Sequence, residues 1–281
     1  MDVLSVRYGS PDAGRRLTES LVGTGFAVVT DHPVSRELIF ETYAEWEAFF
    51  ASPAKHDYTF DPKSQDGYFP YRSENAKGRA QKDLKEFFHV YPRTELPEGM
   101  SGRTRELYDA LSRFAGQLLG HVEEHMPADL RKGLSMPLGA MIEKSAQTLL
   151  RILNYPPLEG GEEDGAVRAA AHEDINLITL LVAATAPGLE VLDSAGGWRD
   201  VPADPGSIVV NSGDMLQMAT GGYFRSTTHR VVNPTGEVAR RPRLSMPLFL
   251  HPRPEVRLSD THTAGEYLEE RLREIGLKTA G

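Results

Sequence analysis

The sequence of 281 residues contains no cysteine. This absence excludes disulfide frameworks, zinc sites built from thiolates and cysteine nucleophiles, and it is compatible with a reducing compartment. Long apolar runs are also missing. No stretch approaches the roughly 20 residues of a membrane helix, and residues 1–7 lack the hydrophobic segment of a signal peptide. We therefore expect a cytoplasmic protein that has no membrane partner.

Positive charge is in deficit. The 31 Lys and Arg residues against 40 Asp and Glu residues give a formal net charge of −9. This balance argues against a nucleic-acid partner, because binding to phosphates needs a basic surface. The chain is long enough for a sizeable core, and no linker or internal repeat divides it. We expect one structural unit, a monomer or a homodimer.

The first half of the chain shows two helical patterns and one strand. Residues 25–30 are β-branched and aromatic between turn-forming residues, which favours a short strand. Ser35 can cap a helix that carries Leu38 and Phe50 on the helical period, and residues 103–126 show a second apolar stripe of that period. Residues 53–83 are polar and turn-rich, and we expect a mobile loop there.

Short apolar segments separated by Gly and Pro turns follow after residue 145. Many short strands at close spacing favour a sandwich or a barrel, and a last helix is expected over about 262–275. The predicted strands are 148–155, 177–182, 189–192, 207–210, 229–232 and 244–250. We expect a mainly β fold with flanking helices. Its helical or mixed N-terminal region, 1–140, and its β core with the C-terminal helix, 141–281, would form one structural unit.

Two imidazoles and one carboxylate are the most informative residues. In a strand-like segment, His172 and Asp174 project to the same side while Glu173 points away. His229 comes from a separate apolar segment. Such a set suits Fe(II) and leaves half of an octahedron open for reactants. His-x-Asp alone is a weak motif, and a single His in a strand is more often a core or surface residue, so the prediction depends on the ordered set.

Arg243 follows the last of these ligands. Its guanidinium is planar and always charged, which suits the carboxylate of an organic acid. The competing interpretation is a surface arginine in an ion pair, because an alternating strand could expose it. Together with the three candidate ligands, Arg243 indicates an oxygen-activating iron site that uses a carboxylate cosubstrate.

Several segments carry a family resemblance. They are 172–181 (HEDINLITLL), 211–214 (NSGD), 229–231 (HRV) and 243–245 (RLS), preceded by 25–32 (GFAVVTDH) and 83–88 (DLKEFF). In combination they resemble the isopenicillin N synthase-like branch of the non-haem Fe(II), 2-oxoglutarate-dependent oxygenases, over about residues 20–252. This resemblance implies a double-stranded β-helix (jelly roll) flanked by helices.

The resemblance also implies a reaction. His172, Asp174 and His229 would hold the iron, and 2-oxoglutarate and O2 would be the other reactants. A C–H bond of a small molecule, an amino acid or a specialised metabolite, would be oxidised by hydroxylation, desaturation or oxidative cyclisation, with release of succinate and CO2. Related halogenases lack the carboxylate ligand, so the presence of Asp174 favours these outcomes over halogenation.

The cosubstrate contacts are likewise implied by resemblance. Arg243 and Ser245 would hold the distal carboxylate of 2-oxoglutarate, and Tyr155 would hydrogen-bond to the same group. Plant members usually have Asn two positions before this tyrosine, where this chain has Leu153. One expected contact is therefore missing, while the charge-bearing Arg-x-Ser pair is intact.

Substrate contacts are less determined. Phe249 and Arg243 are an even number of positions apart on one predicted strand, so alternation places both on one face. Residues 60–82 and 157–168 are rich in Gly, Pro and charge and are candidate lids, with plain surface loops as the alternative. The other candidate substrate contacts are Arg72, Phe88, Tyr68 and Phe224, of which Arg72 would suit an acidic or amino-acid substrate.

Two other function classes stay open at this point. Within the same branch an Arg-x-Ser pair can hold the substrate's own carboxylate, as in an isopenicillin N synthase-type iron oxidase that uses no 2-oxoglutarate. A non-catalytic module that senses a metal or an oxo acid is the second alternative. Residues 121–125 also match the His-x-x-Glu-His zinc-protease pattern, but His121 and His125 lie at the edge of the apolar stripe, which favours a solvated helix flank.

Overall fold

The computed structural model describes residues 2–74, 81–202 and 204–274. The helices are α1 (Ala13–Thr24), α2 (Arg36–Ala51), α3 (Arg103–His125), α4 (Ala128–Gly133), α5 (Leu138–Ile142), α6 (Asp214–Ala219) and α7 (Ala264–Glu274), with 3-10 turns at Pro53–Tyr58 and Gly236–Arg240. The strands are β1 (Leu4–Arg7), β2 (Phe26–Thr30), β3 (Gly67–Phe69), β4 (Glu86–Val90), β5 (Leu149–Tyr155), β6 (Ala169–His172), β7 (Ile178–Val182), β8 (Leu189–Leu192), β9 (Trp198–Asp200), β10 (Ile208–Ser212), β11 (His229–Val231) and β12 (Arg243–Leu250).

The strands form two sheets. The larger sheet has eight strands in the order β1-β2-β10-β7-β12-β5-β4-β3, and the smaller has four in the order β6-β11-β8-β9. All neighbours are antiparallel except β1 and β2. Strands from the predicted N-terminal region, 1–140, therefore share one sheet with strands of the predicted core.

An apolar layer joins the two sheets face to face. The larger sheet contributes Phe26, Val209 and Leu153 to it, and the smaller sheet contributes Val191 and Val231. Such facing sheets bury alternate residues of each strand in a common core. The predicted mainly β fold with a jelly-roll core and flanking helices is confirmed.

The opposite face of the larger sheet packs against the helices. Trp46 of α2 has no exposed surface, and its ring lies 5.2 Å from that of Phe49 and 5.0 Å from that of Phe88 in β4. The indole nitrogen of Trp46 donates a hydrogen bond of 3.0 Å to Thr104 Oγ1 in α3. The helix-side face of β4 is thus fixed to two helices at once.

Most predicted helices and strands are present, and their ends lie within one or two residues of the predicted ones. Ser35 caps α2 by accepting a hydrogen bond of 3.2 Å from Leu38 N. The prediction of a loop over residues 53–83 is wrong in part, because this segment contains a 3-10 turn and β3. Helix α1 was not predicted. The predicted end of the last helix, at residues 275 and 276, lies outside the described residues.

No helix in the described parts of the chain is long and apolar enough to cross a lipid bilayer.

Phe88 should be a core residue whose loss destabilises the fold. Its side chain is 1% exposed in the aromatic cluster, whereas Phe40 is 48% exposed on α2. We expect Phe88→Ala to lower the free energy of unfolding by about 3–5 kcal/mol, and Phe40→Ala to change it by less than about 0.5 kcal/mol. Urea denaturation of both variants measures this, and equal effects would contradict the packing described above.

Candidate metal centre and cosubstrate site

His172, Asp174 and His229 converge at the edge of the smaller sheet. His172 is the last residue of β6 and His229 the first of β11, and the two are directly paired across these antiparallel strands. Their ring centroids are 4.4 Å apart. One donor atom from each of the three residues lies within 4.8 Å of the others. Among the described residues, this is the one group of His and acidic side chains close enough to hold a metal ion.

Backbone carbonyls orient both imidazoles. His172 Nδ1 lies 2.7 Å from Ala170 O, and His229 Nδ1 lies 3.1 Å from Thr227 O. A carbonyl oxygen can only accept, so each Nδ1 carries the proton and donates it. The Nε2 atom of each ring is then the nitrogen left to bind a metal, and His229 Nε2 lies 3.8 Å from Asp174 Oδ1. Such contacts fix the tautomer that a metal ligand needs.

The side chain of Asp174 is held in place by residues of the larger sheet. Its Oδ2 atom accepts hydrogen bonds from Thr179 Oγ1 at 2.6 Å and from Asn211 Nδ2 at 2.8 Å. These two residues are paired across β7 and β10. His172 and Asp174 come together as predicted, but strand alternation is not the cause, because β6 ends at His172 and Asp174 lies in the loop that follows. Glu173 does turn away, and accepts a hydrogen bond of 2.6 Å from Thr228.

The electrostatics suit a divalent metal. Burial and the neighbouring His229 lower the pKa of His172 to about 4, so this imidazole is neutral at pH 7. Burial favours the neutral acid at Asp174, but His229, His172 and the two hydrogen bonds outweigh it and lower the pKa of this carboxyl. A neutral His172 imidazole, the His229 imidazole and an ionised carboxylate form the kind of donor set that Fe(II) takes in non-haem oxygenases.

The hydroxyl of Thr179 should support the metal affinity. Thr179→Val keeps the shape of the side chain and removes the hydrogen bond that orients Asp174. We expect the affinity of the metal-free protein for Fe(II), titrated without oxygen, to fall by roughly 10–100-fold. Thr42→Val removes an equally buried hydroxyl that bonds only within α2, and should leave the affinity unchanged. Equal affinities in the two variants would contradict the role of Thr179.

Arg243 begins β12 beside Tyr155 of β5, to which it is paired in the sheet. It is 2% exposed, which rules out the surface ion pair considered above. Its guanidinium carbon lies 5.1 Å from the centre of the Tyr155 ring, its Nε donates to Ala186 O at 2.9 Å, and its buried Nη1 has no partner among the described residues. Ser245, on the same face of β12, is also buried. The structure thus brings together Arg243, Ser245 and Tyr155.

The candidate substrate residues are divided between the two faces of the sheet. Phe249 lies on the face that carries Arg243, with the Arg151 guanidinium 5.5 Å from its ring centre. The structure does not bring Tyr68, Phe88 or Phe224 to the candidate metal ligands, because all three are buried in the helix-side core. The reason is the alternation of strand residues: in β4, Phe87 faces the smaller sheet and Phe88 faces the helices.

Arg72 is part of a link between the two candidate lids. Its Nη2 atom lies 2.6 Å from Glu163 Oε1, and its backbone N–H donates to Lys85 O at 3.0 Å. The side chain of Arg72 is about one-third exposed. The two segments predicted as lids are therefore connected by an ion pair.

A buried ionic cluster near the site was not predicted. Lys85 Nζ lies 2.8 Å from both Asp83 Oδ2 and Glu74 Oε2, and Arg151 Nη1 lies 3.2 Å from Glu74 Oε2. Asp83 Oδ1 accepts a hydrogen bond of 3.0 Å from Ala170 N in β6, which ties the cluster to the strand of His172. The available signal was weak: Asp83 and Lys85 lie in the segment just before the apolar strand β4, and Arg151 is a single charge within the apolar strand β5.

His89 adjoins this cluster as a buried neutral imidazole. Its Nδ1 donates to Gln65 O at 2.8 Å, and its Nε2 accepts from Arg151 Nε at 2.8 Å. Burial and the Arg151 charge hold the pKa of His89 well below its usual value of 6.5.

Acid should therefore weaken the fold through His89. Below pH 6.5, His89 is protonated in the unfolded chain but stays neutral in the folded protein. The free energy of unfolding therefore falls as the pH decreases. We expect the urea midpoint of the metal-free protein to decrease from about pH 7 to about pH 5. His89→Gln cannot take up this proton and should show a smaller decrease; an identical decrease in both proteins would refute the assignment.

The His-x-x-Glu-His pattern of residues 121–125 lies at the end of α3. Both histidines lie on the last turns of this helix, where His125 Nδ1 lies 2.9 Å from His121 O. His125 is exposed, and its ring packs near Gly14 of α1. Neither belongs to a ligand group within the described residues, as expected for a solvated helix flank.

Comparisons with known proteins agree with this geometry. Residues 147–252 match the family described as the 2OG-Fe(II) oxygenase superfamily, and residues 5–109 match the N-terminal domain described for the non-haem dioxygenase in morphine synthesis. The proline hydroxylase buaE of Petromyces alliaceus is 30% identical over 79% of this chain and 75% of its own. A 2-oxoglutarate-Fe(II) type oxidoreductase of Aspergillus fumigatus is 28% identical over 89% and 81%.

Solved structures give the same result. A crystal structure from Shewanella oneidensis, described as that of an oxygenase, has a TM-score of 0.90 and 47% identity over 99% of this chain and 100% of its own. A full-length Neurospora crassa protein in complex with alpha-KG has a TM-score of 0.81 at 20% identity, over 96% and 95%, and shares the fold. The chain belongs to the 2OG-Fe(II) oxygenase superfamily. It is a non-haem dioxygenase that uses Fe(II), 2-oxoglutarate and O2.

Proposed function

We propose that His172, Asp174 and His229 bind the iron, and that Arg243, Ser245 and Tyr155 bind the distal carboxylate of 2-oxoglutarate. The observation that carries this proposal is the convergence of three donor atoms within 4.8 Å. Arg243 adds to it, because its buried guanidinium has an N–H group without an acceptor among the described residues, and a carboxylate is suited to accept this hydrogen bond. When bound, Fe(II) supplies the redox chemistry that couples cleavage of O2 to decarboxylation of 2-oxoglutarate and oxidation of a C–H bond.

The protein residues in this proposal orient the reactants. The Arg243 fork and the Ser245 hydroxyl hold the far end of the cosubstrate, which fixes the position of its 2-oxo acid end. Thr179 and Asn211 hold Asp174 through one oxygen and leave the other for the metal. The buried setting of these residues keeps water away from the reacting groups.

We further propose that the substrate is a small molecule, an amino acid or a specialised metabolite, bound on the face that carries Phe249. Support comes from the position of Phe249 on the face of β12 that carries Arg243 and from the name of the Petromyces relative, a proline hydroxylase. In this proposal the enzyme works in the cytoplasm as a monomer or homodimer without a nucleic-acid partner, which agrees with the acidic charge balance.

Titration of the Fe(II) protein with 2-oxoglutarate, without oxygen, tests the two binding assignments. We expect a visible charge-transfer band in the wild type, because the 2-oxo acid chelates the metal. Arg243→Leu should show the same band at roughly tenfold to a hundredfold higher 2-oxoglutarate concentration, since it removes a charge-assisted hydrogen bond but no metal ligand. His172→Ala is the negative control and should show no band at matched iron concentration.

Two results would contradict this assignment. Unchanged 2-oxoglutarate affinity in Arg243→Leu would exclude Arg243 from the cosubstrate site. Substrate oxidation without consumption of 2-oxoglutarate would instead favour the iron oxidase alternative, in which Arg243 holds the substrate's own carboxylate.

A further inference from the structure

A second buried arginine lies beside the proposed cosubstrate site. Arg168 directly precedes β6 and has no exposed surface. Its guanidinium carbon lies 5.9 Å from the centre of the Tyr155 ring, and that of Arg243 lies 5.1 Å from the same point. Two cations thus share one aromatic neighbour in the interior of the protein.

Arg168 lacks partners for most of its hydrogen-bond donors. Its Nη2 donates a long bond of 3.3 Å to Arg241 O, while its buried Nε and Nη1 have no partner. Within the described residues, no carboxylate forms an ion pair with Arg168 or Arg243. Buried N–H groups without acceptors are costly, and charged ones more so. The unpartnered N–H groups of Arg168 and Arg243 could therefore donate to an anionic ligand as their partner.

The charge on Arg168 persists at neutral pH. Burial and the nearby positive charge of Arg243 lower its pKa, but only to about 10. Two protonated guanidiniums close to one ring repel each other, and this repulsion is relieved when a carboxylate binds beside them.

The backbone around Arg168 is fixed before any ligand binds. Arg168 N donates to Asn233 Oδ1 at 2.9 Å, and Asn233 Nδ2 donates to Ala166 O at 2.8 Å. Leu84 N donates to Val167 O at 2.9 Å, which joins the segment to the start of β4. A side chain on such a rigid support loses little freedom on binding.

We propose that Arg168 is a second cation of the cosubstrate site and binds the distal carboxylate of 2-oxoglutarate together with Arg243. This inference rests on the proposed role of Arg243. The two guanidiniums would select dicarboxylic 2-oxo acids, because a 2-oxo acid without a distal charge leaves both cations buried and unpaired.

The test compares two ligands and several variants of the Fe(II) protein by calorimetric titration without oxygen. The ligands are 2-oxoglutarate and 2-oxovalerate, which has the same five-carbon chain and no distal carboxylate. Arg168→Met should bind 2-oxoglutarate roughly tenfold to a hundredfold more weakly and 2-oxovalerate as tightly as the wild type. Arg168→Lys, which keeps the charge, should recover part of the loss. Arg241→Leu removes an exposed arginine from the adjacent segment and should leave both affinities unchanged.

A structural role would give a different result. If Arg168 only supports the fold, Arg168→Met lowers the denaturation midpoint of the ligand-free protein and weakens both ligands alike, and the proposal is wrong. We expect a midpoint equal to or above that of the wild type, because the substitution removes an unpaired buried charge.

Arg243→Met distinguishes a failure of the role proposed for Arg168 from a failure of the role proposed for Arg243. If Arg243→Met loses 2-oxoglutarate affinity and Arg168→Met does not, Arg168 has no role in binding and Arg243 keeps its own. If neither variant loses affinity, the location of the cosubstrate site is wrong and the inference about Arg168 fails with it.

Discussion

The pairing of β6 with β11 is the contact on which the candidate metal centre depends. It places His172 opposite His229, so two residues far apart in sequence present their rings side by side. The strands are short, with four and three residues, and their register shifts between His229 and Val231. This pairing is reinforced by the ionic cluster, since Asp83 accepts the backbone N–H of Ala170 in β6. The relative position of the two imidazoles is thus set by main-chain pairing.

The third candidate ligand is held by the larger sheet. Thr179 and Asn211 face each other on β7 and β10 and both donate to one oxygen of Asp174. The loop after β6 is tied at the same place, because Asp214 N donates to Asp174 O at 2.8 Å. The candidate metal centre therefore depends on both sheets. The apolar layer between them fixes the position of the two imidazoles relative to the carboxylate.

The sequence was sufficient for the elements with long apolar patterns. Helix α3 has a helical apolar stripe, strands β5 and β12 are long apolar segments, and the three candidate ligands belong to a recognisable ordered set. Prediction failed where contacts between distant segments decide the outcome. Asp174 lies in a loop that hydrogen bonds from two strands hold in place, and no local pattern shows this. Tyr68 and Phe88 were assigned to the site from their types, but strand alternation points them into the helix-side core.

Arg168 shows the same limit for a charged residue. It follows the segment Glu162–Gly165, in which a charge is normally solvated, and nothing local indicates that its guanidinium has no exposed surface. Burial of Arg168 and Arg243 without counterions costs stability in the ligand-free protein. A dicarboxylate that supplies the missing charge recovers this cost on binding, so ligand affinity and fold stability are linked through the same two side chains. In the proposed cosubstrate site, selectivity for the distal carboxylate would follow from these two buried cations, because a ligand without that carboxylate leaves both of them unpaired.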